Sequence, residues 1–209
     1  TRKSTDGSQW TIWTEFWQNT SKRMMPEISL NILDVAGNSI RARAALVEIT
    51  VDVQPADDTL AVTVKDNGEG MTEEEVSHVE DPFFTTRTTR KVGLGIPFFR
   101  QAAVSAGGSF QIDSEKGKGT TVSAVFVLSH IDRMPLGDIS SVIHTLIVFN
   151  EHVGFRYTYR YGERSFVLDT RRMREILGED ISFREPEVSA FIKEYLESGK
   201  AETDGGADI

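Results

Sequence analysis

The sequence contains no cysteine, which excludes disulfide bonds, iron–sulfur clusters and thiolate metal sites. It lacks any apolar run near the ~20 residues that a helix needs to cross a bilayer, and its polar start lacks the apolar core of a signal peptide. Positively charged side chains are fewer than negatively charged ones, with 23 Lys and Arg and 32 Asp and Glu, so the net charge is −9. We therefore expect a cytoplasmic protein without a broad surface for nucleic acid or membranes, in which any polyanion binds at a local basic pocket.

What is present is an ordinary globular composition, with 39% hydrophobic and 26% charged residues, and this is enough for a buried core. Residues 1–23 mix polar residues with Trp10, Trp13 and Trp17, so they are either an expression-derived segment or an arm that docks on a partner. We expect an α/β domain over residues 24–129, a small α+β domain over residues 130–200 and a flexible tail over residues 201–209.

The order of secondary structure follows from hydrophobic periodicity and from turn and capping residues. Alternating apolar residues mark strands, a Thr72-to-Glu75 capping box marks a short helix, and paired glycines mark a helix end. The predicted elements are a helix from Pro26 to about Ala44, a hairpin over 47–64, the short helix after Thr72, a helix over 96–106, a hairpin over 110–128, a hairpin over 155–168 and a helix opened by Pro186.

The first predicted helix is apolar around most of its circumference and carries one narrow polar stripe. Such a stripe either lines a cavity or forms a solvated edge. Asp34 and Asn38 stand one turn apart on it, so a carboxylate and an amide oxygen address the same place, and such oxygens suit Mg²⁺ bridged to phosphates. The stripe consists of Glu27, Asn31, Asp34, Asn38 and Arg41.

A second polar motif, DNGEG, occupies residues 66–70, where the second strand ends. A calcium loop is excluded, because such a loop needs an oxygen ligand where Gly68 stands and glycine where Met71 stands. The simplest interpretation is a glycine turn between strand and helix. The functional interpretation is that Asp66 accepts a hydrogen bond from the exocyclic amine of a base while Gly68 and Gly70 allow close backbone approach.

The third motif, residues 81–96, combines three cations, four threonines and two glycines ahead of a predicted helix. Hydroxyl donors, positive charge and the N–H groups of a helix N-terminus are what a phosphate needs, although a solvated basic loop has a similar composition. The candidate phosphate-binding residues are Thr85, Thr86, Arg87, Arg90, Lys91, Gly93, Leu94 and Gly95.

In order and spacing, the motifs over residues 26–128 resemble the histidine-kinase-like ATPase superfamily, which includes gyrase, mismatch-repair ATPases and sensor histidine kinases. The resemblance implies ATP and Mg²⁺ as cofactors, and an α/β two-layer sandwich of the Bergerat type in which helices cover one face of a mixed sheet. It implies that Asn38 binds Mg²⁺, that Asp66 reads the adenine amino group with Thr120 near the base, and that Gly93 and Gly95 direct N–H groups to the phosphates. Which of the cations at 87, 90 and 91 contacts the terminal phosphate stays open.

The same resemblance assigns a catalytic role to Asp34. It occupies the position, four before the Mg²⁺-binding Asn38, at which hydrolytic members and serine-directed kinases carry a glutamate as general base. Aspartate is one methylene shorter than glutamate. The resemblance therefore implies a slow ATPase or a protein kinase, of the histidine- or serine-kinase-like kind, acting on a protein partner. The alternative is a non-catalytic module that senses ATP and reshapes a partner surface.

Residues 129–136 partly match the phosphoacceptor box of sensor kinases, which centres on a histidine, here His130. An acid belongs directly after that histidine, but Ile131 stands there and Asp132 follows. The alternative is a structural hinge formed by His130 and Pro135. The remainder of the chain, with an aromatic hairpin and an amphipathic final helix, is the candidate surface for a protein partner or for self-association as a homodimer.

Overall fold

The structure is a computed structural model, and it describes residues 27–79, 95–178 and 181–209. The expected arm over residues 1–23 lies outside these residues. The described helices are α1 (Ile28–Arg41), α2 (Glu73–Val79), α3 (Gly95–Ser105), α4 (Ile139–Phe149), α5 (Thr170–Leu177) and α6 (Pro186–Asp204). The strands are β1 (Leu46–Gln54), β2 (Thr59–Asp66), β3 (Ser109–Glu115), β4 (Gly119–Val127), β5 (Gly154–Tyr161) and β6 (Arg164–Asp169), with a 3₁₀ turn at Pro55–Asp57 between β1 and β2.

The six strands form one mixed sheet in the order β3-β4-β2-β1-β5-β6. Side chains alternate across each strand, and in β1 every second residue is buried, namely Val47, Ile49, Val51 and Val53. Their register partners in β2 and β5 lie on the same face and are buried, apart from the half-buried Tyr161, and α1, α3, α4 and α6 complete the core there. The predicted α/β sandwich, with helices over one face of a mixed sheet, is confirmed.

The local signals read from the sequence correspond to the observed elements. Thr72 and Glu75 form the predicted capping box, since Thr72 N–H donates to Glu75 Oε2 at 2.8 Å and Glu75 N–H donates to Thr72 Oγ1 at 3.2 Å. The helix expected to stop before the glycine pair ends at Ser105, and Gly107 has a φ of +69°. The first helix ends at Arg41 rather than at Ala44, because Arg43 adopts a left-handed φ of 58°.

The third predicted hairpin, β5–β6, joins the same sheet as the first two. β5 runs parallel to β1, with Ile49 opposite Tyr157 and Val51 opposite Tyr159. Both tyrosines are at most 1% exposed. Of the aromatic residues in the predicted hairpin, Phe155, Tyr157 and Tyr159 are therefore core residues, and Tyr161 is half-buried at the end of β5. The division into domains over 24–129 and 130–200 stays a prediction, but the two regions share one sheet and one hydrophobic cluster.

Helix α4 has no counterpart among the predicted elements. It begins after Asp138, whose side chain accepts from Ser141 N–H at 2.9 Å, and its mostly apolar sequence is ISSVIHTLIVF. Its buried residues pack between α1 and α6, and its less buried side carries a narrow uncharged stripe of Ser141, His144 and Thr145. Because this stripe is narrow and the apolar face is wide, the amphipathic pattern of a surface helix is weak here.

The flexible tail expected over residues 201–209 differs from what the structure shows. Helix α6 continues through Gly199 to Asp204, and Ile209 is 9% exposed. Gly199 lies against the ring of Phe166, and Tyr159 Oη donates to the buried Asp204 carboxylate at 2.9 Å. These contacts attach the last helical turn to β5 and β6. Among the described residues, none of the helices has the length and apolar character of a membrane span.

Candidate functional site

The centre of the candidate site is the carboxylate of Asp66 at the end of β2, which is 8% exposed. Ser39 Oγ, on α1, donates to its Oδ2 at 2.6 Å. Its Oδ1 accepts from Gly68 N–H at 2.8 Å and from Thr120 N–H at 3.3 Å. A carboxylate offers about four acceptor positions, so these three donors orient the group and leave acceptor capacity for another donor.

Ser39 is a site residue that the sequence analysis missed. It lies next to the predicted Mg²⁺ ligand Asn38, but on the buried side of α1, where it connects the helix to Asp66. The signal that could have identified it is a serine on the apolar face of a largely buried helix, because such a hydroxyl needs a hydrogen-bonding partner. Ser39, the neighbour of Asn38 in α1, therefore connects this helix to the Asp66 loop.

Gly68 and Gly70 are crowded by the protein's own backbone. A Cβ on Gly68 would lie 2.6 Å from Ala42 O, and a Cβ on Gly70, whose φ is +61°, would lie 2.0 Å from Glu115 O. Close backbone approach to these glycines occurs within the protein itself, and their expected approach to a bound base stays a prediction. The groups that approach are the end of α1 and the β3–β4 turn, which clamp the loop that carries Asp66.

Two further residues missed from the sequence hold this loop. Asn67 Oδ1 accepts from Ala45 N–H and from Leu46 N–H, both at 2.9 Å, and so attaches the loop to the start of β1. Ser114 Oγ accepts from Met71 N–H at 2.8 Å and lies 2.9 Å from Thr120 Oγ1. Short polar side chains in turns often make such local bonds, but their partners here come from distant parts of the sequence.

Asp34 and Asn38 lie on one face of α1, and both are half-buried. Asn38 Oδ1 accepts a hydrogen bond from the Arg41 guanidinium, so this oxygen already faces a cation. The Asp34 carboxylate packs against Gly95, the first residue of α3, where a Cβ would fall 1.5 Å from Asp34 Oδ2. The N-terminus of a helix favours a carboxylate, because its N–H groups carry partial positive charge.

The other half of the predicted stripe lies elsewhere. Glu27 Oε2 accepts from Asp138 N–H at 3.3 Å, in the connection that leads into α4. Asn31 is 1% exposed and donates to Glu27 O at 3.2 Å. The stripe is therefore divided, and its part at Asp34, Asn38 and Arg41 belongs to the candidate site.

Several cations surround the Asp66 loop even though the chain is acidic overall. Lys116 Nζ donates to Gly70 O at 3.4 Å, and Arg43 lies 3.5 Å from the Glu69 carboxylate. Lys116 also pairs with Glu75, whose pKa is lowered mainly by its hydrogen bond from the Thr72 backbone. Both cations are therefore paired with carboxylates of the same region, and the two ion pairs are locally neutral.

Part of the predicted site lies outside the described residues. Of the third motif, the structure describes only Gly95 and Ile96, which begin α3. Their position beside Asp34 is consistent with a helix N-terminus that faces the site. The predicted residues outside the described part are Thr85, Thr86, Arg87, Arg90, Lys91, Gly93 and Leu94.

His130 lies at the other end of β4 from Thr120. Thr120 and Val127 are seven residue steps apart along an extended strand, which spans roughly 23 Å at about 3.3 Å per step. His130 Nδ1 accepts from Asp132 N–H at 3.1 Å, and Pro135 O accepts from Ile28 N–H at 3.0 Å. Their contacts therefore belong to the connection between β4 and α4, and His130 is remote from Asp66 of its own chain.

Together, the one-sided mixed sheet, the Asp66 loop and the polar face of α1 define a domain of the histidine-kinase-like ATPase class. A protein-family model described as "Histidine kinase-, DNA gyrase B-, and HSP90-like ATPase" matches residues 23–130. The chain belongs to this family, and residues 23–130 form its ATP-binding domain.

Individual known proteins agree with this assignment. Sporulation kinase D of Bacillus subtilis is 32% identical over 98 residues, which are 47% of this chain and 19% of that protein. The C4-dicarboxylate transport sensor protein DctB of Pseudomonas aeruginosa is 27% identical over 112 residues, 53% of this chain and 18% of that protein. The chain thus spans about a fifth of the length of these curated relatives.

A solved structure shares the fold. The crystal structure of the N-terminal domain of a DNA repair protein has a TM-score of 0.53 and 14% sequence identity. The match covers 77% of this chain and 59% of that one, so it extends beyond the residues that the family model matches. At this identity the likeness shows the fold alone.

Proposed function

We propose that this protein binds ATP with Mg²⁺ and acts as a slow ATPase or a protein kinase on a protein partner in the cytoplasm. The observation that carries the proposal is the Asp66 carboxylate, which three donors orient while acceptor capacity remains. The adenine amino group is a donor of the required kind. Family membership and the named sensor and sporulation kinases support the same assignment.

The residues present fit a magnesium ion that is held jointly with phosphates. Asn38 offers a side-chain oxygen on the polar face of α1, and this oxygen would exchange its hydrogen bond from Arg41 for the ion. Among the described residues, no group of three or more His, Asp or Glu side chains is placed to hold a metal. A divalent ion at Asn38 would therefore take its other ligands from phosphate oxygens and water, as Mg²⁺ commonly does, and would neutralise phosphate charge.

Asp34 is the proposed general base. Its carboxylate lies at the N-terminus of α3, one helical turn from Asn38, and would take the proton from a water molecule or a protein hydroxyl that attacks the terminal phosphate. Candidate contacts to the phosphates outside the described residues are Thr85, Thr86, Arg87, Arg90 and Lys91, together with the backbone at Gly93 and Leu94.

A second candidate function, an ATP sensor without turnover, is favoured by the packing of Asp34 against Gly95. This contact holds the short carboxylate close to the helix and limits its reach to a nucleophile. In such a module, ATP occupancy alone would shift the protein between two partner-binding states.

One experiment tests the binding and the catalysis separately. We expect Mg·ATP to bind the parent chain and to stabilise it by about 2.7 kcal/mol at a concentration a hundred times Kd. Ser39→Ala removes one donor to Asp66 and should weaken binding about tenfold by calorimetry, which corresponds to ~1.4 kcal/mol. Ser140→Ala, which alters another buried serine bonded elsewhere, is the matched control. Unchanged affinity in Ser39→Ala would contradict the assignment of Asp66 to the base.

For the catalytic role, terminally labelled ATP is followed into free phosphate, the protein itself and candidate partners. Asp34→Asn keeps the size of the side chain against Gly95, so it should preserve ATP affinity and abolish label transfer. Transfer at the parent rate would exclude Asp34 as the base. Tight binding by a parent chain that never transfers label would establish the sensor instead.

A further inference from the structure

Strand β6 is an outer strand of the sheet, and in the described part of the chain β5 is the one strand that pairs with it. Its sequence, RSFVLD, contains neither proline nor lysine, and its pairing with β5 is regular over all six residues. Proline, charged side chains such as lysine, and bulges commonly protect an outer strand from pairing with another chain. In β6 the charged residues Arg164 and Asp169 stand only at the two ends, and the four residues between them carry none of these devices.

Exposed apolar side chains accompany this strand on both faces of the sheet. Val167 is 42% exposed on the open face. On the helical face, Phe191 and Tyr195 of α6 are 56% and 42% exposed and stack with their ring centres 5.9 Å apart. Tyr195 also contacts Phe166 of β6, with ring centres 5.0 Å apart. The two α6 rings and Phe166 form one contiguous group on the helical face, and such groups commonly mark an interaction surface.

We propose that a second copy of this chain pairs with β6 in antiparallel orientation, with the two-fold axis at Val167. An axis perpendicular to the sheet keeps the helices of both copies on one face, so only side chains that point to the same face come opposite each other. Val167 then meets Val167 of the partner subunit, and Ser165 meets the partner's Asp169. Phe166 meets the partner's Leu168.

The side chains of β6 favour this register over its neighbours. A hydroxyl donor faces the Asp169 carboxylate at two places, and apolar residues face apolar residues at the centre. Each Asp169 carboxylate already accepts three hydrogen bonds from Arg171 of its own chain and has capacity for one more donor. An axis at Leu168 would oppose Val167 and the partner's Asp169, and an axis at Phe166 would oppose Arg164 and the partner's Leu168. This self-complementarity identifies a second copy as the partner, because a strand that matches itself about one point satisfies a two-fold interface.

Helix α6 extends the interface beyond the strand. It packs beside β6, where Gly199 contacts the Phe166 ring, and its exposed Phe191 and Tyr195 border the same edge. In the paired arrangement the two α6 helices flank the axis on one face, so these rings become covered. The dimer would contain one continuous twelve-stranded sheet.

Sedimentation equilibrium of the 209-residue chain over a range of concentrations tests the proposal without nucleotide. We expect a reversible dimer. Val167→Lys places two cations opposite each other at the axis and should weaken the dimer at least about tenfold. Phe191→Ser, on α6, should weaken it as well. The matched control is Val104→Lys, which changes another exposed valine on α3 and should leave the dimer unchanged.

Single thiols test the register, because the chain has no cysteine of its own. Opposite residues of an antiparallel pair have Cα atoms about 4.5–5.5 Å apart, within the range of a disulfide. Oxidised Val167→Cys should therefore form a covalent dimer, and oxidised Val104→Cys should not. The proposal would be overturned by a monomer at every concentration or by a dimer that is insensitive to Val167→Lys. Pairing of β6 only with a strand of a different protein would overturn it as well.

Discussion

Single residues around the Asp66 loop show how a glycine motif can serve packing. Gly70 combines a φ of +61° with backbone contact to Glu115, whereas Gly117 has a φ of +80° and open space around it. Both positions need a left-handed backbone, but only Gly70 also needs the absence of a side chain. A comparison of substitutions at these two glycines therefore distinguishes the cost of a left-handed backbone from the cost of steric overlap.

We expect Gly70→Ala to cost considerably more stability than Gly117→Ala. The control substitution carries only the left-handed strain of roughly 1–2 kcal/mol, while a methyl group on Gly70 must also displace the backbone near Glu115. Urea unfolding of both variants measures the difference. Equal losses, with ATP affinity reduced only in Gly70→Ala, would mean that the crowding at Gly70 comes from ligand rather than from protein.

At the scale of elements, one carboxylate connects three segments of the C-terminal half. Glu151, just after α4, accepts from Arg174 Nη2 at 2.9 Å, from Ser182 Oγ at 2.8 Å and from Phe183 N–H at 2.8 Å. The Arg174 guanidinium also lies 3.9 Å from the centre of the Phe183 ring. These contacts hold α5 and the approach to α6 against the end of α4.

The pH dependence of stability should report this contact. Burial raises the pKa of Glu151, but the hydrogen bonds from Ser182, Phe183 and Arg174 outweigh burial, so the pKa lies below its ordinary value of 4.5. The carboxylate therefore stabilises the fold at pH values above 4.5, and this stabilisation is lost as the pH falls through the lowered pKa.

Glu151→Gln should cost about 1–2 kcal/mol at pH 7, because it weakens hydrogen bonds to a charged group. The difference from the parent should shrink as the pH falls below 4. Denaturant unfolding at pH 7 and pH 3.5 makes the comparison, and Glu163→Gln in the exposed β5–β6 turn is the control. If Glu151→Gln lowered the free energy of unfolding equally at both pH values, the loss would come from the shape of the side chain rather than from its charge.

At the scale of the whole molecule, the β1–β5 pairing makes the sheet continuous from the ATP-binding domain into the C-terminal region. The buried faces of both parts belong to one cluster of apolar residues, which α4 and α6 complete. A shared sheet and core favour unfolding as one cooperative unit. Independent folding of residues 130–200 would require β1 to become an outer strand.

Hydrogen exchange of the folded chain distinguishes these arrangements. Tyr159→Phe removes the hydroxyl that donates to the buried Asp204 and should lower global stability by about 1–3 kcal/mol. We expect amide protection to fall equally in β1, β2 and β5 if they open together. Tyr161→Phe, at the half-buried end of the same strand, is the control. Loss of amide protection confined to β5, β6 and α6 would instead support two separately folding domains.

Local chemistry in the sequence determined the hairpins, the capping box, the one-sided burial of the strands and the placement of Asp34 and Asn38 on one face of α1. Periodicity, turn residues and caps act over a few positions, so they are visible without the fold. The tertiary structure decided the parallel pairing of β1 with β5, the Ser39 contact to Asp66, the crowding of Gly70 and the burial of α4 and of the end of α6. Each of these depends on which distant segments meet, and that choice is made by the packing of the whole core.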